Sequence, residues 1–229
     1  MPVDSAPLPK GRHAAPRGVV RASQRERMLA AMSAAVAEQT YAAVAVADVI
    51  ERAGVSRKTF YEHFANREEC FLAAFDAAVD LILDAIDAEI RAAGRDAVRA
   101  AVAGTRCYLE WLAANPAHAR TFLIEVLGAG PRALARRTAV HERFAAQLAA
   151  VYATAREQFA ELPPRPRHFF RAAVGATNEL VTDHLLVHGS GGLPELLPAL
   201  LDVQLGLLVG TELAERLIAE RLAGGLAAG

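Results

Sequence analysis

Apolar residues recur along most of this chain at intervals of three and four. Met28, Leu29, Met32, Ala35 and Val36 follow that period, predicting a first helix from Ser23 or Gln24 to about Glu38, with Ser23 available as its cap. Val46, Val49, Ile50 and Ala53 give the apolar face of a short second helix, which Gly54 can end by taking a positive φ. Ser56 can then cap a third helix by accepting a backbone N–H near Thr59, with Phe60 and Phe64 directed inward four residues apart. Asn66 and Glu69 form a capping pattern for a long fourth helix. Its stripe of Phe71, Phe75, Ala78, Ile82, Ile86 and Ile90 runs to Gly94, where Asp96 can cap the next helix.

Further breaks fall at Asn115-Pro116, at 128–131, at 162–166 and at 189–194, each separating helical patterns. No sustained alternation of β-branched and polar residues occurs, so the expected fold is all-α. The first 22 residues contain Pro2, Pro7, Pro9 and Pro16 among Lys10, Arg12, Arg17 and Arg21 without an apolar period, and are expected to be a disordered basic tail.

Composition narrows the picture. With 53% hydrophobic and 22% charged residues among 229, the chain has material for a core, and two units are expected at this length. Charges such as Arg27, Asp183 and Glu212 interrupt every apolar run before it reaches the roughly 18 residues of a membrane span. A soluble cytoplasmic protein with no membrane partner is expected. Cys70 and Cys107 sit inside apolar helical patterns, which suits reduced core thiols better than a disulfide framework or a zinc cluster. The net charge of −1 conceals a division: residues 1–67 hold ten Lys/Arg against six Asp/Glu, leaving the remainder at −5. A basic front on a near-neutral chain points to a localised polyanion contact.

The second and third patterns together predict a helix-turn-helix, whose second helix can enter a major groove because the first packs behind it. Its outward set is Arg57, Lys58, Thr59, Tyr61, Glu62 and His63, a composition suited to DNA. Residues 49–68 read VIERAGVSRKTFYEHFANRE. This run resembles the motif of the TetR family of bacterial transcriptional regulators, approximately Ile-Ala-x-x-Ala-Gly-Val-Ser-x-x-Thr-hydrophobic-Tyr-x-His-Phe-x-x-Lys-Glu. The resemblance is strong over about residues 24–72 and implies that Arg57, Lys58 and Thr59 face bases while Tyr61, His63 and Arg67 hold phosphates. Two departures stand out. Glu62 either accepts from a cytosine amino group or faces solvent, and Val44-Ala45 replaces the capping hydroxyls that usually precede the second helix. Arg17 and Arg21 either reach a minor groove or stay solvated.

The resemblance further implies an organisation of 1–22 tail, 23–67 helix-turn-helix DNA-binding domain and 68–229 larger helical domain for ligand binding and dimerisation. For the last two helical patterns, 166–188 and 194–222, Leu180, Val181, His184, Leu185, Leu197, Leu201, Leu205 and Leu208 are the expected four-helix interface of a homodimer. Gly206 and Gly210 would permit close helix approach there. The expected pocket residues are Cys107, Tyr108, Trp111, Phe122, Glu125, His141, Phe144, Phe170 and Asn178, with ordinary core packing as the alternative for each aromatic. Glu125 is the sharpest, because a carboxylate among apolar neighbours needs a partner, in a loop or in a ligand.

The implied function is that of a ligand-responsive regulator, a repressor binding a palindromic double-stranded DNA operator as a dimer and released by an apolar or amphipathic small molecule. No catalytic residues, cofactor or metal are expected. His184 and His188 lie at i, i+4 but lack a third ligand fixed by the sequence. The alternatives are an enzyme using the helical pocket, and a ligand-independent DNA binder.

Overall fold

A computed structural model describes residues 17–210, and among them the chain is helical with no strand. The helices are α1 (Arg17–Gln39), α2 (Val46–Ala53), α3 (Arg57–His63), α4 (Arg67–Ala92), α5 (Ala97–Ala114), α6 (Pro116–Leu123), α7 (Pro131–Gln158), α8 (Arg167–His188) and α9 (Leu197–Val209). Short 3₁₀ turns occupy Glu125–Gly128 and Leu193–Leu196. Residues 1–16 of the expected tail, and the stretch 211–222 expected in the last helix, lie outside the described residues.

Local signals account for most boundaries. Gly54 ends α2 at φ 60°, and its N–H and that of Val55 return to the carbonyls of Glu51 and Ile50 at 3.2 and 3.1 Å. Ser56 Oγ accepts from the Thr59 N–H at 3.0 Å, and Asp96 and Asn66 cap α5 and α4 in the same way. The return arm of the Asn66 box differs from expectation: Glu69 Oε2 accepts from the Ala65 N–H, at 2.7 Å. At α2, Ala45 has no side-chain acceptor, but Asp48 Oδ2 takes its N–H at 2.7 Å, so one half of a capping box survives the missing hydroxyl.

Two boundaries differ from expectation. Helix α1 begins at Arg17, so residues 17–22 are helical and Ser23 lies within the helix instead of capping it. Arg21 reaches the carbonyl of Glu62 at 3.3 Å, a contact across 41 residues that local pattern does not reveal. Asn115 caps nothing ahead of it; its amide donates back to the Trp111 carbonyl at 2.8 Å.

Helix α1 packs on α2, α4 and α6, while α4 continues against α5 and α7, and α7, α8 and α9 pack in succession. Met28, Met32, Val49, Phe60, Phe64 and Phe71 centre the first core, which continues into Val126 and Ala133 beyond α6. A second core gathers Ile82, Ile86, Leu109, Leu123, Val181 and Leu200, and a third lies around Tyr152 and Phe170. Tyr152 donates to the carbonyl of Pro163 or Leu208, at 2.8 and 3.0 Å, and so fastens the 159–166 segment to the end of α9.

One polar joint ties α6 to the first three helices. The buried Glu125 carboxylate accepts the Tyr41 N–H at 2.9 Å and meets Arg120 at 3.1 Å. Tyr41 follows Thr40, which holds φ at 76°, a costly conformation for a β-branched residue. The Tyr41 ring lies 4.6 Å from Phe71 on one side and 4.5 Å from the Arg67 guanidinium on the other.

Gly54→Ala should lower the unfolding free energy by about 1–2 kcal/mol, from the left-handed backbone and from a Cβ placed 3.4 Å from Arg27 Nη1; urea titration will read it. Glu125→Ala should cost about 2–3 kcal/mol by the same measurement, because it strands a buried N–H and removes the partner of Arg120. Glu125→Gln should recover part of that loss, since its amide oxygen can still accept from Tyr41.

Candidate nucleic-acid interface and ligand cavity

The α3 cap and its inward phenylalanines determine what faces out. With Phe60 and Phe64 buried, a seven-residue helix has only one remaining side, and Arg57, Lys58, Tyr61 and Glu62 occupy it as exposed residues. Lys58 is 87% exposed along its side chain and Tyr61 47% overall. The Arg57 guanidinium lies 5.7 Å from the Tyr61 ring centroid, and Lys58 approaches Glu62 only to 4.0 Å, so neither cation is neutralised in a tight ion pair. Thr59 is half-buried, its hydroxyl 2.9 Å from Ser56 Oγ.

Helix α1 widens this face. Arg21 contacts the Glu62 carbonyl and Arg25 lies over Phe64 at 4.7 Å, both remaining exposed beside the end of α3. Partial burial, followed by the charges of Arg21 and Arg25, lowers the pKa of His63 below its ordinary 6.5. His63 is therefore mostly neutral at pH 7 and able to donate one ring N–H.

Other cations of the first helices serve the fold. Arg27 Nη1 donates to the Ala53 carbonyl at 2.5 Å, and Arg52 pairs with Glu38 through both carboxylate oxygens, one contact at 3.0 Å. Arg67 Nη1 donates to the Val44 carbonyl at 2.5 Å and to that of Ala42 at 3.3 Å. Arg67 is half-buried, so its duty in the structure is to hold the α1–α2 connection against α4. Both carbonyl contacts use Nη1.

Helices α4 to α9 enclose a cavity of about 120 Å³. Of the expected pocket residues, Tyr108, Phe122, His141, Phe144 and Asn178 line it, while Cys107, Trp111, Glu125 and Phe170 do not. Cys107 and Trp111 pack in the second core, Trp111 stacking on Phe122 at 6.0 Å. Glu125 forms the joint with Tyr41, and Phe170 packs edge-on to Tyr152 at 5.6 Å in the third core. These four point away because helical rotation of about 100° per residue carries close neighbours to different faces.

The sequence pattern also left wall residues unassigned. Phe75, Ile82 and Ile86 of the α4 stripe serve core and cavity at once, and Arg137 enters from α7. Burial, then the charges of Arg137 and Arg171, lowers the His141 pKa to about 4. Its Nε2 lies 3.2 Å from the Asn178 amide. Burial raises the Tyr108 pKa, with Arg137 opposing, so the phenol stays protonated. It also raises that of the buried Cys70 thiol to about 12.

Along α8 and α9 the expected interface set divides. Val181, Leu185 and Leu208 are buried within the chain, whereas Leu180 is exposed together with Leu186 and Val187, at 62% and 66%. Among the described residues a Cβ at Gly206 or Gly210 would meet nothing within 4 Å, so no described helix approaches closely there. His184 Nε2 lies 2.7 Å from the Gly191 carbonyl, with His188 beside it at 4.9 Å. No helix among the described residues is long and apolar enough to cross a membrane.

Comparison with known proteins agrees with this geometry. Residues 29–74 match the model of the bacterial regulatory proteins of the tetR family. Over 84 residues the chain is 31% identical to the HTH-type transcriptional activator FasR of Mycolicibacterium smegmatis, a stretch covering 36% of this chain and 38% of that relative's length. The fold resembles the fatty acid degradation regulator FadR of Bacillus halodurans with a TM-score of 0.71 at 21% identity, covering 82% of this chain and 95% of that one. It also resembles FadR of Bacillus subtilis, solved in complex with stearoyl-CoA, with a TM-score of 0.70 at 17% identity over 81% and 98% of the two chains. Residues 29–74 thus carry the N-terminal sequence pattern of the tetR family of bacterial regulatory proteins, and the helical architecture behind them has the fold of the two FadR structures.

Proposed function

We propose that this regulator binds a palindromic operator as a homodimer, represses transcription there, and is released by an apolar or amphipathic small molecule held in the cavity. The observation that carries the reading is the placement of α4. It starts at Arg67, just past the end of the outward-facing α3 at His63, shares the first core with Phe60 and Phe64 through Phe71, and runs on to line the cavity with Phe75, Val79, Ile82 and Ile86. A ligand that favours one setting of α4 therefore favours one setting of the DNA-facing helix, and the two bound states compete in proportion to their differential affinities. The stearoyl-CoA found in the Bacillus subtilis FadR supports a ligand with a long acyl chain. Exposed Leu180, Leu186 and Val187 on α8, beside α9, supply the apolar face for a two-fold partner. Such a dimer would set two α3 helices on half-sites about 34 Å apart or a multiple of it.

Arg57, Lys58 and Thr59 are assigned to base edges, and Tyr61 and His63, joined by Arg21 and Arg25, to phosphates. A duplex selection on purified protein should return a palindrome. On that duplex Tyr61→Ala should weaken binding to every sequence alike, while Lys58→Ala should cost about 1–3 kcal/mol and also relax the preference at one position; equal weakening by both would reject the division of roles. A reporter driven from the recovered site separates repression from the activation for which the mycobacterial relative is named.

A phosphate near His63 raises its pKa from the lowered value of the free protein, so binding takes up a fraction of a proton. Affinity should rise as pH falls through the bound-state pKa toward the free one, and His63→Gln should flatten that part of the profile. An unchanged profile would remove His63 from the phosphate contacts.

A further inference from the structure

We infer that the cavity binds the carboxylate of an aliphatic acid through Arg137, an assignment that rests on the cavity being the effector site proposed above. The polar groups around it are otherwise largely engaged. Thr105, Gln204 and Thr177 form a chain of hydrogen bonds at 3.2 and 2.9 Å, Gln147 donates to Asp87 at 2.6 Å, and His141 pairs with Asn178. Arg137 is different: its Nε is fully buried without an acceptor, and no hydrogen bond or ion pair holds its guanidinium among the described residues. Two other buried Nε groups lack acceptors, those of Arg27 and Arg120, but each of those side chains is anchored through its terminal nitrogens.

The rest of α7 makes the contrast informative. Arg132, Arg136 and Arg143 pair with Glu68, Asp76 and Asp80 of α4 at 2.9, 3.3 and 2.8 Å. Arg137, next to one of them in sequence, turns from this acidic rail to the cavity wall. Tyr108 offers a second donor there, since its hydroxyl makes no hydrogen bond among the described residues and burial keeps it protonated. His141 is neutral at pH 7, and Arg171 is matched by Glu142 at 2.9 Å, which leaves Arg137 as the unneutralised charge of the wall among the described residues.

A half-buried arginine whose Nε is fully buried and unpaired lacks part of its solvation, and a carboxylate matches the guanidinium fork with two parallel hydrogen bonds. The phenylalanine and isoleucines of α4 provide an apolar surface for the attached chain. An alcohol of equal length satisfies that surface but not the cation. An acyl-CoA places a neutral thioester where the carboxylate would be, with its phosphates many bonds away.

Trp111, the sole tryptophan, stacks on the cavity residue Phe122 and reports on occupancy by fluorescence. The full chain is titrated with dodecanoate, dodecanol and dodecanoyl-CoA. Dodecanoate should bind at least about tenfold tighter than dodecanol. Arg137→Met, checked for an unchanged helical melt, should bring the acid down to the level of the alcohol while leaving the alcohol within about twofold. Arg137→Lys should keep part of the preference, which guards against a folding defect in the first variant. Equal binding of acid and alcohol to the wild type overturns the inference and leaves the effector site standing, as does an acid preference that survives Arg137→Met. Tighter binding of dodecanoyl-CoA than of the acid, unaffected by Arg137→Met, overturns it too. Failure of all three compounds to bind defeats both the inference and the effector site.

Discussion

A carboxylate held among apolar side chains has to be satisfied, and the way Glu125 meets that requirement organises the molecule. Its oxygens take the Tyr41 N–H and the Arg120 guanidinium, so the turn after α6 is fastened to the connection between α1 and α2. Removing a carboxylate from water is expensive, and the expense is recovered only while both partners stay in place. The joint thus selects one seating of α6 against α1. It also accounts for Thr40 at φ 76°: the strained residue directs the following N–H to the acceptor, and the contacts of the Tyr41 ring with Phe71 and Arg67 hold that setting. Arg67 enters this network at the first residue of α4, the helix whose later turns form the cavity wall.

The same network sorts the cations of the first helices. Arg27, Arg52 and Arg67 are drawn onto carbonyls or onto Glu38, and stabilise the turns that set the angle of α3. Arg21, Arg25, Arg57 and Lys58 keep most of their exposure around Tyr61 and His63. A protein of net charge −1 can therefore present a positive face on which Glu62 is the one acid of α3, while Glu68, Asp76 and Asp80 of α4 are paired with α7. Phosphate neutralisation depends on that local concentration and not on the total.

What was legible in the sequence follows from how local each signal is. The caps at Gly54, Ser56, Asn66 and Asp96 act within three or four residues, and they stand where the pattern places them. The start of α1 was hidden because Arg21 is held from 41 residues away, and the hold of Arg67 on the α1–α2 connection was hidden because its carbonyl partners lie 23 and 25 residues back. The cavity was half legible for a related reason. Aromatic content identifies Tyr108, Phe122 and Phe144 as large apolar groups on the right helices, but the facing of a helix is set by tertiary packing, and the adjacent Cys107 turns into the core. Arg137 could not be told from Arg132, Arg136 and Arg143 by residue type; only the position of the α4 acids separates them.

These particulars meet in α4. Phe71 packs under Tyr41, Phe75 touches Phe122 edge-on at 5.3 Å, and Ile82 and Ile86 belong to both the second core and the cavity. An occupant of the cavity therefore presses on the same side chains that hold α4 against α5 and α6. Occupancy alone moves nothing, however tight, unless the ligand binds one seating of α4 better than the other. Close-packed cores resist gradual deformation, so the response open to α4 is a change between discrete seatings. In the seating described here the Glu125 joint is closed and α3 faces outward. On the proposed reading, a ligand that displaced Phe122 or Phe75 would have to reopen the α6 contact with α1, and its differential affinity would have to exceed what the Glu125 joint contributes. On that reading the carboxylate that fixes the seating of the head would also set the threshold for releasing it.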